Sequence, residues 1–201
     1  LFNLGAPESP FSKGVIRYTA TGGFDETQEA FKNILKCQGF DTSKLFVTVT
    51  DGGSTGMELL VLGVCGPAGS DEKPLLMIDP AYTNYISFAE RTGRKTVTIK
   101  RHLNEDGKFS LPELDKIEEA IKENKPGALL VIPYDNPTGQ LYDKETLKEL
   151  ARLCVKYNIW MVSDEAYREL YYIEDKELVS IWGITDKDVP GIEGRRISIE
   201  T

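Results

Sequence analysis

Two apolar runs of this 201-residue chain end in polar side chains that can hold a flat, ring-shaped ligand. The run Gly127–Pro133 is followed by Asn136, and the run Ile159–Val162 is followed by Asp164 and Tyr167. A helix-patterned stretch separates the runs, so the order is strand, helix, strand. Because ligands of open α/β sheets bind beyond the carboxyl ends of the strands, we expect Asn136 and Asp164 to face one site.

Asp164 is suited to a pyridine ring. A carboxylate beside the ring nitrogen keeps that nitrogen protonated, and the protonated ring can then take up the electrons of a substrate carbanion. Asn136 and Tyr167 can both reach an oxygen on the same ring. Either motif alone fits equally well an Asp that caps a helix or an Asn in a turn, but the two in order favour a cofactor site. Glu165 should point away from that site, so its charge should matter little there.

A glycine loop precedes these motifs and joins a strand-like run to an apolar helix. Gly53, Ser54 and Thr55 stand where the helix begins. The free backbone N–H groups and the dipole of a helix start favour a phosphate, and the two hydroxyls can add donors. A plain glycine turn fits the same residues, so the loop alone is weak support. It lacks both the Walker A pattern and the dinucleotide-binding glycine pattern.

Tyr82 follows Pro80 at the end of another short apolar run. An aromatic ring held at a sheet edge by a proline turn can stack on a flat heterocycle. Packing in the core is the alternative for Tyr82, and it is our interpretation of Tyr85.

Composition excludes several classes of function. The net charge of -8 argues against general affinity for nucleic acid or for anionic membranes. No apolar run has the length of a membrane span, and no secretory signal opens the chain, so we expect a cytoplasmic protein. Three cysteines without metal-ligand spacing and a single histidine indicate no metal site.

Strand and helix patterns alternate along the chain, which predicts an α/β fold with a mostly parallel sheet. The predicted strands are 45–50, 75–78, 96–99, 127–133, 159–162 and 196–199. Ser110 and Glu113 form a capping-box pattern before a helix whose apolar face is Leu114, Ile117 and Ile121. Asp143 is expected to cap the next helix.

The segments Asn136-Pro-Thr-Gly139 and Asp164-Glu-Ala-Tyr167 resemble the matching motifs of the class I/II aminotransferases, the fold-type-I family that uses pyridoxal 5'-phosphate. The resemblance runs over nearly the whole chain, and it implies a three-layer α/β/α domain. It departs from the family at Thr55, where Glu or Gln is usual, and at Asp135, where many members have a second Asn.

The resemblance assigns a role to each candidate residue. Asp164 and Tyr167 would be catalytic, and Gly5 and Asn136 would contact substrate. Tyr18 would reach the cofactor phosphate of a neighbouring subunit in a homodimer. The cofactor contacts within one subunit would be Gly53, Ser54, Thr55, Tyr82, Asn136, Asp164, Tyr167 and Thr201.

The same resemblance divides the chain into two parts. Residues 1–24 would be an arm that covers substrate, and residues 25–201 would be the large domain that binds pyridoxal phosphate. The chain would stop before the Schiff-base lysine and the small C-terminal domain, so this fragment alone is expected to be inactive.

The expected reaction is transamination between an amino acid and a 2-oxo acid. One alternative keeps the cofactor and changes the reaction, as in a carbon–sulfur lyase or a cyclopropane-carboxylate synthase of the same fold. The other alternative is an aminotransferase-like sensor domain of a transcriptional regulator.

Overall fold

The computed structural model describes residues 18–170 and 177–201, and its backbone forms two compact units that divide between Thr50 and Asp51. The first unit contains helix α1 (Asp25–Cys37), in which Leu35 is the buried side chain. The strand predicted at 45–50 is not formed, and Phe46 is fully exposed. The alternating pattern of these residues satisfies strand propensity, but propensity alone does not provide the neighbouring strand that a ladder needs.

The second unit is built on a five-stranded sheet in the order β2-β1-β3-β4-β5, and every strand pairing is parallel. Its strands are β1 (Leu75–Asp79), β2 (Thr96–Lys100), β3 (Ala128–Val131), β4 (Trp160–Asp164) and β5 (Arg196–Ile199). Its α-helices are α2 (Gly53–Val64), α3 (Asn84–Arg91), α4 (Leu114–Asn124) and α5 (Lys144–Lys156). The predicted α/β fold with a parallel sheet is therefore confirmed.

Each face of the sheet carries its own hydrophobic core, as successive side chains of a strand require. On β1, Leu76 and Ile78 pack with the α4 and α5 side chains, whereas Leu75 and Met77 pack with those of α2 and α3. The central strand β3 is buried along its whole length. Helices thus cover both faces, which confirms the three-layer α/β/α arrangement.

The two predicted helix starts have different outcomes. Asp143 caps α5 as expected, because its Oδ1 accepts a hydrogen bond from the Thr146 N–H at 2.7 Å. The capping box at Ser110 is wrong: α4 begins only at Leu114, and Glu113 at the N-cap makes no side-chain capping bond. Ile117 and Ile121 are buried as predicted, but Leu114 lies in the first turn, at the rim of the core, and is exposed.

Two further features bear on the classes of function considered above. Within residues 18–170 and 177–201, no helix is long and apolar enough to cross a membrane. Over the same part of the chain, no group of three or more His, Cys, Asp or Glu side chains is arranged to hold a metal ion.

Gly127 lies immediately before β3, and its substitution tests how closely the sheet packs against α2. A Cβ atom at this position would lie 1.8 Å from the carbonyl oxygen of Val64. Because that oxygen belongs to the backbone and cannot swing aside, we expect Gly127→Ala to cost about 3 kcal/mol or more of folding free energy. Equilibrium urea unfolding measures this cost.

Gly63 provides the matched control. It lies on the exposed side of α2, and nothing is within 4 Å of a Cβ built there. Gly63→Ala should stabilise the protein by roughly 0.5–1 kcal/mol, since alanine favours a helix interior. Equal effects of the two substitutions would contradict the close approach at Gly127.

Candidate active site

A cavity of about 230 Å³ opens at the carboxyl ends of the strands, beside the first turn of α2. Seven of the predicted site residues line it: Gly53, Ser54, Tyr82, Asn136, Asp164, Tyr167 and Thr201. The remaining wall is Met57, Tyr85, Phe88, Ile132, Ala166 and Ile199. The strand ends and the helix start thus bring residues from Gly53 to Thr201 around one space.

Three predicted residues are not part of this wall. Thr55 is exposed on the first turn of α2, because each residue of a helix is rotated from the one before and Ser54 takes the position facing the cavity. Tyr18 belongs to the first unit and is fully exposed. Gly5 lies outside the described residues. The roles expected of these three residues stay predictions.

The start of α2 meets the end of β5 at very close range. A Cβ atom on Gly53 would lie 2.7 Å from Cγ2 of Thr201 and 3.2 Å from Cγ2 of Ile199. A larger residue at this position would require the Thr201 and Ile199 side chains to shift, so glycine allows the helix start to come this close to β5. The first turn of the helix has N–H groups without intrahelical partners, and the Ser54 side chain lies beside them. Gly53, the N–H groups of the first turn and the Ser54 side chain together form a glycine cradle that fits a phosphate group.

Asp164 is the last residue of β4 and faces the cavity. Its Oδ1 accepts a hydrogen bond from the Ala166 N–H at 3.0 Å, and its Oδ2 accepts one from the Tyr85 hydroxyl. These two bonds hold the carboxylate in one orientation. A carboxylate held in this way fits the nitrogen end of a protonated pyridine ring.

Tyr85 is a candidate site residue that the sequence interpretation missed. It is buried, as expected, but its hydroxyl donates to Asp164 rather than only packing. Burial and then the neighbouring Asp164 charge raise the pKa of Tyr85 above its ordinary range, so the hydroxyl keeps its proton and remains a donor. The available signal was that a buried tyrosine usually needs a polar partner for its hydroxyl.

Tyr82 lies beside Tyr85 at the cavity wall. The two ring centroids are 5.5 Å apart, and the rings meet edge to face at 82°. The Tyr82 hydroxyl accepts a hydrogen bond from Asn84 Nδ2 at 2.7 Å. The contact with the Tyr85 ring and the hydrogen bond from Asn84 hold Tyr82 in place. Its ring therefore forms a fixed part of the wall, which suits stacking on a flat ligand.

Asn136 is carried by a turn that a buried ion pair anchors. The preceding residue, Asp135, lies 2.7 Å from Nη1 of Arg101, and both side chains are almost completely buried. Asp135 also accepts a hydrogen bond from the Thr138 hydroxyl, and Arg101 donates to the carbonyl oxygen of Pro80. The residue that departs from the family pattern thus joins the turn of Asn136 to the loop that leads to Tyr82.

The expectation for Glu165 needs a correction. Its side chain points to the sheet face opposite the cavity, as the strand alternation requires. It is nevertheless buried, and its carboxylate is bonded to Arg168 and Ser180. A change of its charge will therefore disturb a buried network, because a buried ion that loses its partner is strongly destabilising.

The chain is similar to known proteins over most of its length. Residues 12–192 match the family model described as aminotransferase class I and II. The probable aspartate aminotransferase of Methanocaldococcus jannaschii is 31% identical over 183 residues, which cover 90% of this chain and 46% of that relative. The aspartate aminotransferase of Pyrococcus horikoshii is 32% identical over 173 residues, with coverages of 85% and 42%. The chain belongs to the class I and II aminotransferase family.

Solved structures show the same fold. Cystalysin from Treponema denticola, which contains pyridoxal 5'-phosphate, matches with a TM-score of 0.78 at 19% identity. The match covers 95% of this chain and 45% of that protein. The chain spans about half the length of the curated relatives it matches.

The bond from Tyr85 to Asp164 makes a pH-dependent contribution to stability. In the cofactor-free protein at pH 8, Tyr85→Phe should cost about 1–3 kcal/mol, the range for a hydrogen bond to a charged group. Because the pKa of Tyr85 is higher in the folded state than in the unfolded state, its contribution is complete below about pH 10 and falls as the pH rises further. Urea unfolding at pH 8 and pH 11 should therefore show a smaller difference between the variant and the parent protein at pH 11. A difference that does not change with pH would contradict the raised pKa.

Proposed function

We propose that the full-length protein is a pyridoxal-phosphate-dependent aminotransferase that exchanges an amino group between an amino acid and a 2-oxo acid. The observation that carries the proposal is the arrangement of one cavity with a carboxylate at one side, an aromatic wall, and a glycine cradle at a helix start. The relatives named as aspartate aminotransferases support amino-acid transamination. The lyase alternative is supported by likeness of fold alone, to a carbon–sulfur lyase of Staphylococcus hominis.

The proposal gives each residue a defined task toward the cofactor. When bound, pyridoxal phosphate supplies a ring that stores the electrons of the substrate carbanion. Asp164 would hold a proton at the ring nitrogen, and Tyr82 would keep the ring in place from the wall. Asn136 and Tyr167 would donate hydrogen bonds to the ring oxygen.

The phosphate end would be held by the residues around the start of α2. The N–H groups of Gly53, Ser54 and Thr55 would donate hydrogen bonds to the phosphate oxygens, and the hydroxyl of Thr201 would add a donor from the end of β5. Gly5 and Asn136 would contact the substrate, with residues 1–24 forming an arm that covers it. Residues 25–201 would make up the large domain.

We further propose that the enzyme is a cytoplasmic homodimer. A subunit contact is supported by the complete exposure of Tyr18 and by two exposed leucines, Leu59 and Leu62, one turn apart on α2. Free thiols at Cys37, Cys65 and Cys154 are compatible with a reducing compartment.

The role of Tyr18 is tested by cofactor titration of the full-length protein together with analytical ultracentrifugation. If its hydroxyl reaches the phosphate of a partner subunit, Tyr18→Phe should keep the dimer and raise the Kd for pyridoxal phosphate about tenfold, the cost of one hydrogen bond. Tyr157→Phe, which removes a bond to Glu118 on a different surface, is the control. A monomer with undiminished cofactor affinity would exclude the proposed contact.

The central test is Asp164→Asn, which keeps the size of the side chain and removes its charge. The loss of a buried charge pair in the transition state should cost on the order of 3–5 kcal/mol, which lowers kcat by roughly a hundred-fold to several thousand-fold. Single-turnover kinetics on full-length enzyme, with cofactor occupancy checked by absorbance, measures the effect.

Asp71→Asn is the matched control, because Asp71 is an exposed carboxylate paired with Lys95. It should leave the rate unchanged. If fully loaded Asp164→Asn reacts as fast as the parent enzyme, Asp164 does not hold the ring nitrogen.

A further inference from the structure

A buried cluster of three charged residues lies behind the cavity, on the opposite face of β4 and β5. Nη1 of Arg168 is 2.8 Å from Oε2 of Glu165 and 2.6 Å from Oε2 of Glu200. The side chain of Arg168 is only 4% exposed. One guanidinium therefore joins two carboxylates that follow the ends of two neighbouring strands.

Both carboxylate oxygens of Glu165 accept hydrogen bonds. Its Oε1 accepts from the Ser163 hydroxyl at 3.0 Å and from the Ile181 N–H at 2.9 Å. Its Oε2 accepts from the Ser180 hydroxyl at 2.6 Å as well as from Arg168. A carboxylate with four donors, two of them near it in sequence and two from residues 180–181, has little freedom to move.

Glu200 extends the cluster along β5. Its Oε1 accepts from the Ser198 hydroxyl at 2.7 Å, and Ser198 in turn accepts from Trp182 Nε1 at 3.0 Å. Burial and the charge of Glu165 raise the pKa of Glu200, while Arg168 opposes that rise. Arg168 is thus the group that allows the two carboxylates to lie close together.

Each member of the cluster is the immediate neighbour of a residue that lines the cavity. Glu165 follows Asp164, Arg168 follows Tyr167, and Glu200 precedes Thr201. Because successive side chains of a strand project to opposite faces, Glu165 and Glu200 fix the backbone from behind while Asp164 and Thr201 face the cavity. The N–H of Glu165 also donates to the carbonyl oxygen of Ile199 at 3.0 Å, which joins the two strand ends directly.

Stability alone is a weak reason for such a cluster. Burial of charges carries a large desolvation cost, and well-packed apolar side chains are often at least as stabilising. One guanidinium nitrogen that donates to both carboxylates adds what apolar packing lacks, which is a defined distance between its partners.

We propose that Arg168 is a positioning residue that holds Asp164, Tyr167 and Thr201 at their places around the cavity through Glu165 and Glu200. The inference rests on the proposed function, since it assigns these three residues to the two ends of the cofactor. Arg168 itself would not touch the cofactor or the substrate.

The test uses the full-length protein and pyridoxamine phosphate, which binds without a covalent bond. Arg168→Lys keeps the positive charge, but its shorter side chain ends one bond before the position of Nη1, the atom that joins both carboxylates. We expect its Kd for pyridoxamine phosphate to rise about ten- to a hundred-fold, the range seen when partners behind metal ligands are removed. Hydrogen–deuterium exchange of the cofactor-free variant should become faster in the segments 164–168 and 199–201.

Two further variants make the result decisive. Arg152→Met breaks an exposed pair with Glu149 on α5, and it should change neither affinity nor exchange. Glu200→Gln removes the charge from only one of the two links, at a side chain that is partly exposed, so this variant should fold even if Arg168→Lys does not. It should show the same two effects at smaller size.

The outcomes separate this inference from the proposed function. If the parent protein fails to bind pyridoxamine phosphate, the proposed function is wrong, and the exchange data still report on the cluster. If the parent binds it while folded Arg168→Lys and Glu200→Gln bind equally well and exchange at parent rates, the positioning role is overturned. A lower melting temperature with unchanged affinity and local exchange would likewise assign Arg168 to the fold alone.

Discussion

The alternation of side chains along β4 and β5 is the constraint on which the site depends. In the pleat, Asp164 and Ile199 face the cavity, whereas Ser163 and Ser198 face the opposite side. One short stretch of backbone therefore carries the candidate chemistry on one face and a buried polar network on the other. A shift of register by one residue would exchange the two sets and remove both.

A second constraint is the treatment of buried charge around the cavity. Asp164 has the hydroxyl of Tyr85, Asp135 has the guanidinium of Arg101, and Glu165 has that of Arg168. Each of these carboxylates, buried at Asp135 and Glu165 and half-buried at Asp164, thus has its own donor, as the cost of an unpaired buried charge requires. The pairings also connect separate loops. The contacts that neutralise these charges are therefore the same contacts that position the cavity wall.

Local patterns in the sequence predicted the elements that form because their apolar side chains are buried. The strands near Leu75, Thr96, Ala128, Trp160 and Arg196 formed as expected, the second and the last from alternating polar and apolar residues and the others from mainly apolar runs. Residues 45–50 carry a similar pattern without forming a strand, because a ladder needs a neighbour that a local pattern does not specify. Ser110 failed as a capping residue for a related reason, since the start of α4 depends on where Ile117 and Ile121 meet the sheet.

The residues of the candidate site were likewise predicted only where the signal in the sequence is local. Motif residues such as Asn136 and Asp164 were found because their spacing after strands is local information. Tyr85, Arg101 and Arg168 were missed because their roles depend on partners distant in sequence or on neighbouring strand ends. Tyr85 and Asp164 are 79 positions apart, and hydrophobic patterning gives such a tyrosine only a place in the core.

The cavity wall has a negative group at one place and hydrogen-bond donors that favour an anion at another, and this arrangement limits the ligands that the cavity can bind. One part of its wall carries the Asp164 carboxylate, and another carries the start of α2, where free N–H groups and the helix dipole favour an anion. A ligand that matches both must carry a positive charge at one point and a negative charge at another, with a flat body between them that can lie against Tyr82. A ligand with anions at both ends would meet repulsion at Asp164, and a simple cation would leave the helix start without a partner. In the proposed function, these two parts of the wall would fix the orientation of the ligand, with its positive end toward Asp164 and its anionic end toward the start of α2.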